Sequence, residues 1–272
     1  MFTDVPVFPG ITHITDSMGV SFTLIEGEKR AILFDTGYGM EDVSAHVRTL
    51  TGKPLKVLLS HGHHDHMLGA RWFSKTFLCE EDMDEFRERT GEVQRRKVMN
   101  QAAERHATVP EDFMESEIRL PETIRFPEKA GGFRFVEEEL GGISAQVIHV
   151  PGHTPGSIVI HVPEYHLLLT GDNWNPCTWM WFPTSLPADV WRNAMLQLMR
   201  YIEEEKGSII SHVLCSHQSM MKSGEELRKF LSYMSYERIR KAPAVDMGAP
   251  INTHMILKEP EGWTLIFDMD KI

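Results

Sequence analysis

Cysteine is scarce in this chain: Cys79, Cys177 and Cys215 stand far apart, with no paired spacing. That argues against a disulfide framework or a cysteine-based zinc knuckle, and it fits a reducing compartment. Long apolar runs are missing too. No stretch approaches the roughly 18 apolar residues that a membrane span requires, and Met1 to Thr12 lacks the basic start and apolar stretch of an export signal. The expectation is a cytoplasmic protein with no membrane partner. Basic residues are outnumbered, 28 against 39 acidic ones, for a formal charge of −11. A surface of that sign does not favour phosphate neutralisation, so no nucleic-acid partner is expected. The short run Arg95–Arg96–Lys97 sits among glutamates in helical sequence and reads as a solvated face.

What is present is enough apolar sequence for a substantial core, 42% of 272 residues, and fourteen histidines of which four fall between His61 and His66. The first third reads as extended segments, Val20 to Glu26, Arg30 to Phe34 and Lys56 to Ser60, separated by glycine-bearing turns. A charged, glycine-poor stretch from Glu80 to about residue 118, with Met83, Phe86, Val93 and Val98 scattered through it, predicts a helical insertion. Strand patterns return at Ala145–Val150, Ser157–Val162 and His166–Thr170. A helix begins near Pro187, with Trp191, Ala194, Met195, Leu198, Met199 and Ile202 on one face. A strand at His212–Cys215 follows. Ser223 and Glu226 form a capping box for a helix that buries Leu227, Phe230, Leu231 and Met234, and a last strand spans Trp263–Phe267. Two series of strands followed by helices predict one layered α+β domain over residues 1–272, with residues 80–118 inserted in it.

The histidine-rich segment is Ser60-His61-Gly62-His63-His64-Asp65-His66, directly after an apolar strand. In extended backbone His61 and His63 point the same way, and a turn into the next helix brings Asp65 and His66 to the other side of a common centre. Such a tract alone is also compatible with a histidine-rich surface loop. Other candidates weigh against that. His153 lies in Pro151-Gly152-His153-Thr154-Pro155-Gly156, Asp172 in Thr170-Gly171-Asp172, and His217 after Val213–Ser216, each just past the carboxyl end of an apolar strand. Loops leaving strand ends on one side of a sheet are where α/β proteins gather their sites. His149 and His161 fall inside strands and read as core histidines. His212 and His254 compete with His217, but His212 opens its strand at the opposite end.

The order H-x-H-x-D-H, G-H-T-P-G-S, T-G-D and a late histidine resembles the metallo-β-lactamase superfamily, over Phe34 to His217. The resemblance implies a four-layer αββα sandwich and a pair of divalent ions, zinc by ligand type, with iron or manganese also compatible. It places His61, His63 and His153 on one ion, Asp65, His66 and His217 on the other, and Asp172 as a bridge between them. It implies that Asp35 supports the ligand histidines from behind. His217 departs from the family pattern, since Cys215-Ser216 precedes it where a glycine is usual.

Such a pair of ions would activate a bridging water to attack a carbonyl, with Asp65 also able to carry the proton to the leaving group. The expected activity is hydrolysis of a small-molecule ester, lactone, thioester or amide. His63 stands where the family's flavin-linked diiron reductases carry glutamate. A single-iron persulfide-type oxygenase of the same fold and a non-catalytic metal-binding protein remain the alternatives. The aromatic stretch Asn173–Pro183, with Trp174, Trp179, Met180, Trp181 and Phe182, is either an apolar wall for substrate or a cover for the core. The sequence carries no signal of oligomeric state.

Overall fold

The computed structural model describes residues 1–272, and the chain forms two compact units. The first comprises residues 1–125, 137–145 and 216–220; the second comprises 126–136, 146–215 and 221–272.

In the first unit seven strands lie side by side in chain order: β1 (Thr3–Phe8), β2 (Ile11–Thr15), β3 (Ser21–Glu26), β4 (Ala31–Phe34), β5 (Leu55–Leu58), β6 (Phe77–Leu78) and β7 (Glu122–Thr123). The first four pair antiparallel, and β4 to β7 pair parallel. All four residues of β4 are buried, the continuous apolar pattern of a strand covered on both faces. Its crossover to β5 carries α1 (Val43–Leu50), whose first turn is capped by Asp42 accepting from the Ala45 amide. Val43 and Val47 of that helix pack on Phe22, Leu24, Leu33 and Val57. A four-residue helix, α2 (His64–Met67), follows the strand end of β5. The charged segment forms α3 (Met83–Arg89) and α4 (Glu92–Glu104).

The second sheet has the order β15-β14-β12-β11-β10-β9-β8. Its strands are β8 (Glu128–Ala130), β9 (Phe133–Glu139), β10 (Ser144–His149), β11 (Ile158–Val162), β12 (Leu167–Gly171), β14 (His212–Cys215) and β15 (Lys222–Ser223). A three-stranded sheet joins β13 (Cys177–Met180), β17 (Trp263–Asp268) and β16 (Thr253–Lys258). The helices α5 (Ala188–Arg200), α6 (Gly224–Tyr233) and α7 (Tyr236–Arg240) complete the unit. Trp191, Met195, Leu198 and Met199 of α5 and Leu227, Phe230 and Leu231 of α6 share one core cluster with Trp174. The Ser223 cap forms as its spacing predicts, accepting from the Glu226 amide at 3.0 Å. No helix of the protein is long and apolar enough to cross a membrane.

Val93 contributes nothing to the core, being 72% exposed on α4. The stretch 173–183 is not all loop, since β13 runs through it and pairs parallel with β17.

Buried Asp16 ties the first unit's turns together. Its Oδ1 accepts from the Met18 and Val20 amides at 2.9 and 3.0 Å, and its Oδ2 from Tyr38 N–H at 2.9 Å, so the β2–β3 turn is fastened to the loop leaving β4. Burial pushes this carboxyl up to about 6, against the pull of the three amides and with a small push from Glu41. A carboxyl raised above its unfolded value stabilises most below pH about 4, and loses that contribution as pH rises through about 6. An amide left buried without an acceptor costs about 1–3 kcal/mol. Asp16→Ala is therefore expected to lower unfolding free energy by about 2–4 kcal/mol at pH 5, with the gap from wild type narrowing toward pH 7. Urea denaturation of both proteins across that range checks it; equal stabilities at pH 5 would remove Asp16 from this role.

Candidate metal centre

The first unit brings together His61, His63, Asp65, His66 and His217. Backbone geometry begins this: β5 ends at Leu58, the chain bends through Ser60, His61 and Gly62, His63 returns to extended backbone at φ −82° and ψ 145°, and α2 then turns Asp65 and His66 round. The rings of His61 and His63 stand 4.7 Å apart and those of His61 and His66 4.2 Å apart. His66 Nε2 and His217 Nε2 each lie 3.5 Å from Asp65 Oδ2. Burial alone would raise the Asp65 carboxyl, but the imidazoles of His66, His64 and His217 hold it well below the usual carboxylate range.

Behind these side chains sits Asp35, fully buried at the exit of β4 in the left-handed region, φ 71°. Its Oδ1 accepts from Ser60 N–H at 2.6 Å, and its Oδ2 accepts from Ser60 Oγ at 2.8 Å and from His66 Nδ1 at 3.0 Å. With its hydroxyl proton committed to Asp35, Ser60 Oγ can only accept from His61 Nδ1, 2.9 Å away. Both histidines are thereby fixed in the tautomer that carries its lone pair on Nε2. Thr36, next to Asp35, donates its amide and its hydroxyl to the His66 carbonyl, which holds α2 in place.

Other partners in this unit were not foreseen from the sequence. Gly62 N–H donates to Asp82 Oδ2 at 2.9 Å, and Glu85 Oε1 lies 3.4 Å from His63 Nε2. Burial would raise the Glu85 carboxyl, but His63 and Arg89 outweigh it and bring it down to about 2. His13 donates through Nε2 to the Gln218 carbonyl at 2.9 Å, while Ser216 carbonyl accepts from Ser21 N–H at 2.7 Å, and these bonds flank His217. His217 is the most open member of the group, its side chain 37% exposed. His64 packs edge-on against Tyr38, and burial lowers its imidazole to about 4, so it stays neutral.

The second unit holds His153 and Asp172, with His153 Nε2 3.7 Å from Asp172 Oδ2. Asn173 fastens the loops that carry them: its Oδ1 accepts from His153 N–H at 3.0 Å and its Nδ2 donates to Val150 carbonyl at 2.7 Å. Trp191 Nε1 donates to the Asn173 carbonyl at 2.7 Å, anchoring the same turn to α5. Gly152 is required there, because a Cβ would meet Trp191 Cδ1 at 2.6 Å and Asn173 Oδ1 at 2.8 Å. His153 Nδ1 donates to the Trp179 carbonyl at 2.7 Å, which turns its Nε2 toward Asp172. His149 and His161 behave as core histidines, bonded to Arg134 and Pro155 carbonyl and to Ser208 respectively. His212 and His254 are not among the residues whose donor atoms gather closely enough to hold an ion, and His254 Nδ1 is bonded to the Ala242 carbonyl at 2.6 Å.

The aromatic stretch divides in two. Trp174 and Met180 belong to the core. Trp179, Trp181 and Phe182 form a separate cluster with ring centroids 5.6 to 6.3 Å apart, and Phe182 meets the His153 ring edge-on at 5.4 Å.

Nitrogen and carboxylate donors of this kind suit a divalent transition metal. Close-set lone pairs, with the outer nitrogens of His61 and His66 held by hydrogen bonds, are what such an ion needs.

Comparison with known proteins bears on this geometry. The family model described as the metallo-beta-lactamase superfamily matches residues 16–200. A hydroxyacylglutathione hydrolase from Cereibacter sphaeroides is 30% identical over 118 residues, covering 43% of this chain and 33% of that protein. The chain thus spans about a third of the length of this curated relative. The stereoselective inverting sec-alkylsulfatase of Pseudomonas sp. superposes with a TM-score of 0.60 at 17% identity, over 85% of this chain and 40% of the other. A metallo-beta-lactamase from Pontibacter korlensis gives 0.57 at 16% identity, over 85% and 98%. These structural likenesses show the fold, an α+β sandwich of the metallo-β-lactamase type, as the resemblance implied.

Asp35→Asn tests the buried hub. Asparagine tolerates left-handed backbone but offers one acceptor oxygen where the carboxylate has two, and its amide nitrogen must face Ser60 or His66. A loss of about 1–3 kcal/mol in unfolding free energy is expected. Chemical denaturation of both proteins measures it, and unchanged stability would show that the carboxylate does not hold this network.

Proposed function

The chain belongs to the metallo-β-lactamase superfamily, and on that basis we propose that it is a metal-dependent hydrolase of a small carbonyl substrate. The observation that carries this reading is the close-set group His61, His63, Asp65, His66 and His217, with Asp35 and Ser60 fixing two of its tautomers. The ligand set is the one the resemblance implies: His61, His63 and His153 for one ion, Asp65, His66 and His217 for the other, and Asp172 as the bridge. Zinc is the ion these donors favour.

When bound, such a pair of ions supplies Lewis acidity and a hydroxide nucleophile at neutral pH. The protein's own residues do the rest. The Asp35–Ser60–His61 chain and the Asp35–His66 bond orient the donors. Asp65, at the open side beside His217, is suited to carry the proton to the leaving group. Trp179, Trp181 and Phe182 give an apolar surface next to His153 for an acyl or ring moiety.

Among esters, lactones, thioesters and amides, the thioester reading is favoured because a relative of 30% identity is a hydroxyacylglutathione hydrolase. Within this reading the two compact units make one catalytic domain, with residues 80–118 as an insertion. Three unpaired cysteines fit a cytoplasmic setting.

The purified protein is expected to hydrolyse at least one member of a panel of thioesters, esters, lactones and β-lactams, to lose that activity on chelation and to regain it with Zn²⁺. Hydrolysis that survives chelation overturns the metal reading, while bound iron with oxygen consumption points to oxygenase chemistry instead. His63→Ala is expected to lower metal content and activity together. The drop should exceed the roughly 10- to 100-fold that loss of an outer partner costs. Unchanged metal stoichiometry, measured by elemental analysis, removes His63 from the ligands.

A further inference from the structure

The helix α3 lies against the loop that carries His61 and His63, close enough that a Cβ on Gly62 would stand 2.9 Å from Glu85 Cβ and 3.1 Å from the Asp82 carbonyl. Only glycine lets the two segments approach this far. Of the four acids between Asp82 and Glu88, Asp84 and Glu88 face solvent, as charged residues of a surface helix should, whereas Asp82 and Glu85 are buried. Their burial is matched by specific partners. Asp82 Oδ2 accepts from the Gly62 amide at 2.9 Å. Glu85 Oε1 lies 3.4 Å from His63 Nε2 and accepts from Arg89 Nε at 2.7 Å, and the His63 and Glu85 side chains are 5% and 7% exposed. Two acids one turn apart thus reach the same two-residue limb, one by its backbone and one by its ring.

We propose that the start of the insertion is a clamp on the metal centre, in which Glu85 holds His63 through Nε2 and so assigns Nδ1 to the ion, while Asp82 fixes the Gly62 amide. The inference rests on the metal reading given above and adds a positioning residue to it. An imidazole engaged by a carboxylate at one nitrogen keeps its proton there and presents its lone pair at the other. His61 and His66 are served in the opposite sense, by Ser60 and Asp35 at Nδ1, so the two histidines of the H-x-H pair offer different nitrogens from one short loop. Arg89, partnered by Glu85 one turn earlier, keeps the carboxylate from swinging away.

The test uses the full chain stripped of metal and titrated with Co²⁺ and Zn²⁺. It reads dissociation constants by chelator competition and the ligand-field absorption of the Co²⁺ form, with melting curves as the folding control. Glu85→Ala is expected to weaken one equivalent by roughly 10- to 100-fold and to alter the Co²⁺ spectrum. Glu85→Gln, which keeps the shape and an acceptor oxygen without the charge, should fall between that variant and wild type. Asp84→Ala, on the solvent face of the same helix, should leave affinity and spectrum unchanged. Should Glu85→Ala fail to fold, Glu85→Gln decides alone. Wild-type affinity and spectrum in a folded Glu85 variant overturn the clamp while leaving the metal reading intact. A wild-type chain that binds neither ion overturns the metal reading, and the clamp with it.

Discussion

A single buried carboxylate organises the first unit. Asp35 sits where β4 ends, with no exposure to solvent, in a backbone conformation that costs a non-glycine residue about 1–2 kcal/mol. Neither the burial nor the strain is tolerable without compensation, and the compensation is the site itself: Ser60 gives an amide and a hydroxyl, and His66 gives a ring N–H. Through Ser60 the same charge reaches His61, so one side chain fixes the tautomer of two histidines whose rings stand 4.2 Å apart. Parallel pairing of β4 with β5 makes this possible, because it sets Asp35 N–H on the Leu58 carbonyl and so brings the two strand exits side by side.

The second unit reaches a similar end by other means. His153 receives no carboxylate behind its ring; its Nδ1 donates to a backbone carbonyl, that of Trp179, while Asn173 fastens its amide. A carboxylate partner raises imidazole basicity more than a carbonyl does, since the developing charge is neutralised rather than only hydrogen-bonded. His66, whose Nδ1 donates to Asp35, is therefore a more strongly donating histidine than His153. His217 is the most open member, with Asp65 as a near neighbour at 3.5 Å.

What the sequence made legible and what it hid divide along a physical line. Residues at strand ends were readable, because an apolar run followed by glycine and histidine states both the element and its exit: β4, β5, β10, β12 and β14 lie within a residue or two of where their patterns put them. Capping chemistry was readable at Ser223 for the same reason, being local. The edge strands β1 and β16 were not legible, since their half-exposed residues show neither clean alternation nor a continuous apolar run. Nor were the outer partners of the site, apart from Asp35, which the family resemblance implied. Glu85 is 22 positions from His63, and His13 is 205 from Gln218, and no spacing rule connects residues that tertiary packing alone brings together. Val93 shows the converse, an apolar residue at a plausible spacing that the fold leaves in water.

The aromatic stretch posed a choice between wall and core, and period-two geometry dissolves it. In β13 the burial alternates, with Thr178 and Met180 inward and Cys177 and Trp179 outward, so one strand gives one face to the core and turns the other outward. Parallel pairing with β17 fixes the height of that strand, and with it the Trp179 carbonyl that His153 donates to. Trp179 thus ties two properties to one residue: its backbone orients a histidine, and its indole, grouped with Trp181 and Phe182, presents apolar surface beside that histidine. A shift of β13 by one residue would turn Trp179 inward, expel Met180 and misplace the carbonyl at the same time. Register therefore couples the apolar surface to the set of the imidazole, and neither can drift in sequence without the other.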